Sequence, residues 1–171
     1  MKNIYTTIIT LSILAVIMIS GCTTSKHYDD HGVSFNYPAN WQVGDIYDLP
    51  GAVVGVSENS QVDVKILKKK IPADLNLEIS YNQSVSNQTT SFNKYCYQQL
   101  SSKKITVDGQ VAYENIYQLG CNSTQTRQQI REVWLEKNGH IYIISCKAIP
   151  PEIYSNKSKD FDIIINSFHV N

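Results

Sequence analysis

Cys22 is the residue whose sequence context predicts a defined chemical reaction. It closes the segment Ile19-Ser20-Gly21-Cys22, which matches the lipobox where a signal peptide is cleaved and the new N-terminal cysteine is lipidated. Lys2 gives a positive start, and the apolar stretch that follows is too short for a comfortable membrane span. We therefore predict a lipoprotein signal peptide over residues 1–21 and lipidation of Cys22, which would tether the mature protein outside the cytoplasmic membrane.

Three further cysteines, Cys96, Cys121 and Cys146, could form disulfide bonds in an exported protein. A two-residue turn at Asp108-Gly109 makes the numbers of facing residues sum to 217, and Cys96 and Cys121 satisfy that sum. The pair falls at a non-hydrogen-bonded position, where α-carbons are about 4.5 Å apart, near the lower limit of disulfide geometry. We expect a Cys96–Cys121 bridge, and the alternatives are a Cys121–Cys146 bridge or three free thiols.

Metal binding and catalysis find little support in the sequence. His27 and His31, with two aspartates between them, would hold a transition metal only if the segment were helical, and a solvated chain is the favoured interpretation. The chain lacks a Gly-x-Ser-x-Gly elbow, a phosphate-binding glycine loop, a His-Glu-x-x-His motif and a Cys-x-x-Cys motif. We therefore predict no catalytic residues, no metal site and no cofactor.

Four Asn-x-Ser/Thr sequons are candidate glycosylation sites, and they fit an extracytoplasmic location. They begin at Asn82, Asn87, Asn122 and Asn156. We expect all four on exposed loops or helix ends.

Charge is balanced, with 15 basic and 15 acidic residues. This balance argues against nucleic acid as a partner, because nucleic-acid binding asks for a basic patch and a high pI. The one local run of charge is Lys68-Lys69-Lys70. It fits either the lysine-protected end of a strand that blunts a sheet edge or a contact with anionic lipid headgroups.

The elements predicted along the chain follow from apolar periodicity and turn residues. Residues 22–31 read as the lipidated cysteine and a short polar tether, and residues 32–171 as a single domain that starts with a strand at Val33–Tyr37. Asp74 is expected to cap a helix, and the stripe of Phe161, Ile164, Ile165 and Phe168 predicts a second helix that docks on a sheet. Alternating apolar residues on either side of a turn predict three strand pairs. They are 52–56 with 62–71, 105–107 with 110–113, and 128–137 with 140–147. The last pair is apolar on both faces and should lie in mid-sheet. This order predicts an α+β sandwich on a largely antiparallel sheet.

Several segments together resemble the PsbP-like family. Gly32–Trp41 resembles the opening strand and tryptophan of that family, Val107–Tyr113 its central hairpin, and Trp134–Ile144 with Phe161–Val170 its closing strands and helix. The resemblance covers nearly all of the mature chain and implies an α/β/α sandwich with a central antiparallel sheet. Known members of this fold are binding domains without chemistry of their own, among them photosystem II subunits, a nuclear transport factor and envelope lipoproteins. No matched motif allows metal-site residues of the family to be carried over.

We therefore expect a membrane-tethered extracytoplasmic lipoprotein that serves as a non-enzymatic accessory domain for a membrane or envelope complex. Its predicted partners are the membrane, through the lipid anchor, and a protein of the envelope. The alternative is capture of a small molecule, a lipid or a metal ion at the cell surface. A large apolar pocket with a few converging polar groups would favour that alternative.

Overall fold

The structure is a computed structural model that describes residues 24–44, 46, 49–72, 74–91, 96–120 and 126–171. The predicted signal peptide and Cys22 lie outside the described residues. Within them, no helix is long and apolar enough to cross a membrane. The strands are β1 (Ser25–Asp30), β2 (Val33–Pro38), β3 (Gln42–Gly44), β4 (Ala52–Asn59), β5 (Val62–Lys70), β6 (Gln98–Val107), β7 (Gln110–Leu119), β8 (Gln128–Lys137), β9 (His140–Ala148) and β10 (His169–Val170), and the helices are α1 (Leu77–Ser91) and α2 (Tyr154–Ser167).

Seven strands form the central sheet in the order β3-β4-β5-β9-β8-β7-β6, and all neighbours are antiparallel. This confirms the predicted α+β class. It also confirms that β8 and β9 lie inside the sheet, as their apolar residues on both faces indicate. Two-residue turns join β6 to β7 and β8 to β9. Asp108 (φ 53°) and Asn138 (φ 53°) supply the left-handed backbone of these turns, each followed by a positive-φ glycine.

Helix α2 and a small sheet cover one face of the central sheet, and α1 covers the other. Phe161, Ile164 and Ile165 of α2 are fully buried against β2 and the central sheet, as the helical stripe predicts. The small sheet has the order β1-β2-β10 and belongs to the same layer as α2. The result is the predicted α/β/α sandwich with an additional three-stranded sheet in one outer layer.

The segment predicted as a polar tether is largely strand. β1 pairs with β2 along its whole length, from Ser25 opposite Pro38 to Asp30 opposite Val33. Five of the six β1 residues are exposed, so the strand leaves no apolar alternation to detect, and backbone pairing at the edge of β2 decides its structure. The ordered domain thus begins before Gly32. A tether from Cys22 would be only the residues that precede Ser25.

The register of β6 and β7 corrects the arithmetic for the cysteines. Facing residues sum to 217 from Val107–Gln110 to Ser101–Ile116, but a bulge at Leu100 shifts the pairing so that Gln99 faces Tyr117. Beyond this bulge facing residues sum to 216, so the arithmetic that singled out the Cys96–Cys121 pair does not hold there. Cys121 lies outside the described residues, so the Cys96–Cys121 bridge stays a prediction. Cys146 is a free, fully buried thiol on β9, which argues against the Cys121–Cys146 alternative.

Candidate functional site

An open cleft of ≈ 460 Å³ separates α1 from the β5–β9 side of the central sheet. We call it the lysine cleft, because Lys69 and Lys70 are the charged residues among its described lining. Trp134 and Ile141 are the apolar lining residues from the sheet, and one polar side of α1 forms the opposite wall. The lining comprises Lys69, Lys70, Pro72, Leu75, Ser80, Gln83, Ser84, Asn87, Gln88, Ser91, Trp134 and Ile141.

The cap of helix α1 lies two residues after the predicted one. Asn76, rather than Asp74, caps the helix by accepting a hydrogen bond from the backbone N–H of Ile79 (2.9 Å). Leu77 and Tyr81, four residues apart, are the two buried residues of the helix, and the rest of it is mainly polar. A narrow apolar stripe therefore attaches α1 to the sheet and leaves its cleft-facing side polar.

Aromatic contacts set the position of Tyr81. Its ring stacks on Tyr113 (centroids 5.0 Å apart) and meets Trp134 edge-on (6.2 Å). Its hydroxyl lies 2.7 Å from the hydroxyl of Ser102 on β6. These contacts fix the distance between α1 and the sheet, and with it the width of the cleft.

Glu132 of β8 is not a lining residue itself, but it holds two of the lining residues, Gln88 and Trp134. Its carboxylate accepts hydrogen bonds from Gln88 Nε2 (3.1 Å), Trp134 Nε1 (3.2 Å) and the Tyr117 hydroxyl (3.1 Å). Burial, together with the neighbouring Glu132 carboxylate, raises the pKa of Tyr117, so that phenol stays protonated and remains a donor. The network locks the Trp134 ring in place and ties the C-terminal half of α1 to the sheet.

Lys68 and Lys69 lie on opposite faces of β5. Lys69 places its Nζ 5.7 Å from the ring centroid of Trp134, on the cleft side, whereas Lys68 lies 5.6 Å from the Tyr142 ring centroid. Lys70 is exposed at the mouth of the cleft. β5 is an inner strand, but its pairing with β4 ends at Leu67, so Lys69 and Lys70 lie beyond the part of β5 that β4 covers, and protection of a strand end stays one interpretation of these lysines. A cationic rim beside a fixed indole suits an anionic group that carries an apolar part.

A second polar cluster lies on the opposite face of the sheet and has a structural role. The side chain of Glu114 is 1% exposed, and it pairs with Arg131 (2.6 Å) and Lys103 (3.2 Å). Arg131 also reaches Asp162 on α2 (2.6 Å). Burial alone would lower the pKa of Arg131, but Asp162 and Glu114 outweigh it and raise that pKa. The cluster joins β7, β8 and α2 through one buried guanidinium, close to Tyr154, whose pKa burial raises to about 12.

A family model described as PsbP-like protein matches residues 16–170. The chain belongs to the PsbP-like family. The match spans the whole described domain, and this agrees with the resemblance seen in its strand, hairpin and helix motifs. No curated protein matches this PsbP-like chain by sequence.

Solved structures agree with the PsbP-like fold. The solution structure of cyanobacterial PsbP (CyanoP) from Synechocystis sp. PCC 6803 has a TM-score of 0.66 and 19% identity, with 90% of this chain and 96% of that one covered. The Ran-binding protein Mog1p of Saccharomyces cerevisiae gives 0.61 at 9% identity, covering 86% and 96%. LpqN of Mycobacterium tuberculosis, involved in cell envelope biogenesis, gives 0.59 at 11% identity, covering 86% and 90%. At these identities the similarity shows the fold alone.

The other predicted site residues of the PsbP-like domain are dispersed. Asn82 and Asn87 are exposed on α1, and Asn156 is exposed in the first turn of α2. Asn122 lies outside the described residues. Asn87 also lines the lysine cleft, so a glycan there would narrow its mouth. Occupancy of the four sequons stays a prediction.

Neither histidine is placed by a helix: His27 lies on β1, and His31 lies in the turn that follows it (φ 52°). The two side chains therefore do not share the one helical face on which the predicted metal pair depended. His27 instead contacts Asn36 (2.9 Å), and His31 contacts the Tyr28 hydroxyl (3.0 Å). Among the described residues there is no group of three or more histidine, cysteine or acidic side chains that could hold a metal ion.

Sequence reasoning missed the two acidic residues that organise the interior. Glu132 precedes Trp134 by two residues on β8, a strand predicted to be covered on both faces, and Glu114 stands between Ala112 and Ile116 on one face of β7. That conflict between charge and burial is the signal that would have marked them, because a buried carboxylate requires donors.

Proposed function

We propose that this PsbP-like protein is a lipid-anchored extracytoplasmic lipoprotein that acts as a non-enzymatic accessory domain for an envelope complex, and that it engages its partner through the lysine cleft. The lipobox supports the location: a signal peptide over residues 1–21 would direct export, and lipidated Cys22 would hold the domain on the outer face of the cytoplasmic membrane. The sequons and a Cys96–Cys121 disulfide would suit the same compartment.

The cleft is the observation that carries the binding role. It combines a cationic rim, an immobilised indole and a polar helix wall on a rigid sheet, and these are features of a recognition surface. Lys69 and Lys70 would pair with carboxylates of the partner, while Trp134 would contact an adjacent apolar side chain.

A cross-linked affinity purification of the tagged, lipidated protein from its own membranes tests this function. We expect one near-stoichiometric envelope protein, retained by wild type and at least tenfold depleted by Lys70→Glu. Lys159→Glu makes the same charge change on an exposed residue of α2, in the opposite layer, and should retain the partner. Equal recovery by the two variants would exclude the cleft, and recovery of no partner with wild type would overturn the accessory role.

Capture of a small molecule is the second candidate, and the size of the cleft favours it. Its ≈ 460 Å³ falls within the roughly 300–1,000 Å³ typical of ligand sites. Native mass spectrometry of protein purified from its host would show an added mass that disappears on denaturation. If the native mass equals that of the polypeptide alone and a protein partner is recovered, the accessory role is favoured over small-molecule capture.

A further inference from the structure

We propose that the anchored domain stands on its membrane with the lysine cleft turned away from the lipid, and that the cleft receives an acidic segment of an extracytoplasmic protein. The inference rests on the lipid anchor proposed above. It depends on where the chain leaves the fold at Ser25 and where the lysines of the cleft lie, because these two points lie at opposite ends and in opposite layers of the sandwich.

One end of the molecule carries the start of β1, and we call it the anchor end. The backbone N–H of Ala39 donates to the Thr24 carbonyl (2.9 Å), and Asn40 donates to Glu58 (3.2 Å), next to the turn between β4 and β5. These contacts place the first residues of β1 beside that turn. The exposed residue Ser60 lies in the turn and marks this end of the sheet.

The other end carries the lysines, and we call it the distal end. The end of β5 meets the turn between β8 and β9, where the backbone N–H of Ile71 donates to the Gly139 carbonyl (3.4 Å). The far end of β1 belongs to the same end of the molecule, because Asn171 donates to Asp29 (2.8 Å) and Val170 donates to Asp108 (3.0 Å). The lysine end of the cleft therefore lies at the end of the molecule opposite to Ser25.

Distances make contact between the lysines and the anchoring membrane unfavourable. Two residues lie between Cys22 and Ser25, which makes three α-carbon steps, so their α-carbons are at most about 11 Å apart. Strand β5 runs about 26 Å from the anchor end to Lys70. That is about three Debye lengths at physiological salt, which leaves little attraction to the headgroups on which the domain stands. Turning the α1 face towards the lipid does not bring the lysines to the membrane either, because β1 and the cleft lie on opposite faces of the central sheet.

Charge decides the kind of partner. The charged residues of the described cleft lining are both lysines, and a carboxylate entering between them meets no acidic residue of that lining. An acidic peptide segment supplies such carboxylates and can reach a site that points away from the lipid. The lysine run is then a protein-binding feature and not the membrane contact that it first suggests.

Energy transfer from two positions on vesicles tests the orientation. The lipidated protein, purified from host membranes, carries a fluorescent noncanonical amino acid at Ser60 or at Glu136, and the vesicles carry acceptor-labelled lipid. Both positions are exposed, one at the anchor end and one at the distal end. We expect at least twofold higher transfer efficiency from Ser60, and the same ratio in neutral vesicles and in vesicles with anionic lipid. Equal transfer, or transfer from Glu136 that rises with anionic lipid, would overturn the orientation and favour lipid as the occupant of the cleft.

Co-sedimentation with the vesicles separates the two proposals. If the protein pellets with the vesicles and shows equal transfer from both positions, the proposed lipid anchor is supported and the proposed orientation is refuted. Protein that stays in the supernatant, like a Cys22→Ser variant, refutes the anchor and with it the orientation. A poly-glutamate peptide tests the proposed acidic occupant of the cleft. It should bind the vesicle-bound wild type at least tenfold more tightly than the Lys70→Glu variant, and equal binding would refute an acidic occupant.

Discussion

Replacement of Asp108 by asparagine should destabilise the protein by about 2 kcal/mol although it leaves the turn intact. The Asp108 carboxylate is nearly buried and accepts from Lys137 Nζ (2.6 Å), His169 Nδ1 (2.6 Å) and the backbone N–H of Val170 (3.0 Å). Asparagine also adopts positive φ, so the hairpin keeps its shape. What is lost is the negative charge that ties β8 and β10 to the turn.

The magnitude follows from the partners. A hydrogen bond to a charged group contributes about 1.5–3 kcal/mol, and the Lys137 pair is the better shielded of the two ion pairs. The His169 pair is more than half exposed on the histidine side and counts for little. The amide of asparagine still accepts one hydrogen bond, so we expect a net loss near the lower half of that range.

The pH dependence gives a second, independent check. Burial alone would raise the pKa of Asp108, but the hydrogen bonds from Lys137, Val170 and His169 outweigh it, and the pKa is lowered. A lowered folded-state pKa stabilises the protein above the unfolded value of about 3.9, and this contribution disappears as the pH falls through the folded value. The difference between wild type and Asp108→Asn should therefore be full at pH 7 and smaller at pH 2.

Urea unfolding of the two proteins, followed by circular dichroism at both pH values, measures these differences. Asp30→Asn is the matched control, since that carboxylate is 68% exposed and its loss should cost under about 0.5 kcal/mol. A difference below 0.5 kcal/mol for Asp108→Asn at pH 7, or one that persists unchanged at low pH, would refute the conclusion that the charge of Asp108 stabilises the fold.

Two further predictions concern the interior and the cysteines. Arg131→Met should cost about 3–5 kcal/mol because it leaves Glu114 buried with only the exposed Lys103 as a partner, and Glu114→Gln added to it should recover part of the loss. A loss below 1 kcal/mol in urea unfolding would contradict that role. Non-reducing peptide mapping should recover Cys96 linked to Cys121, and recovery of both as alkylated thiols would rule the bridge out.

The sequence predicts the frame of the molecule because its strongest signals are local. Asp108-Gly109 and Asn138-Gly139 specify two hairpins, and the stripe from Phe161 specifies α2, so both hairpins and the docked helix are confirmed. The bulge at Leu100 left no such signal, since one unpaired residue in an exposed edge strand changes neither the alternation nor the composition.

The site was less predictable than the frame because it depends on long-range packing. Helix α1 has one narrow apolar stripe, so its polar second half gave no indication of a helix, and the cleft beside it depends on the distance that Tyr81 sets. Glu132 gathers donors from three positions on β7, β8 and α1. Such a convergence is defined by the sheet register and is invisible to a search for motifs.

The pairing of β1 with β2 has a mechanical consequence. If the domain is anchored and bound as proposed, a pull between the lipid and a partner at the distal end would act along the axis of β1, because the chain leaves this strand at its anchor end. Such a load shears all six residue pairs from Ser25–Pro38 to Asp30–Val33 together, whereas a sideways load would open them one after another. The first strand of the domain would thus resist extraction of the protein from its complex by spreading force over the whole ladder.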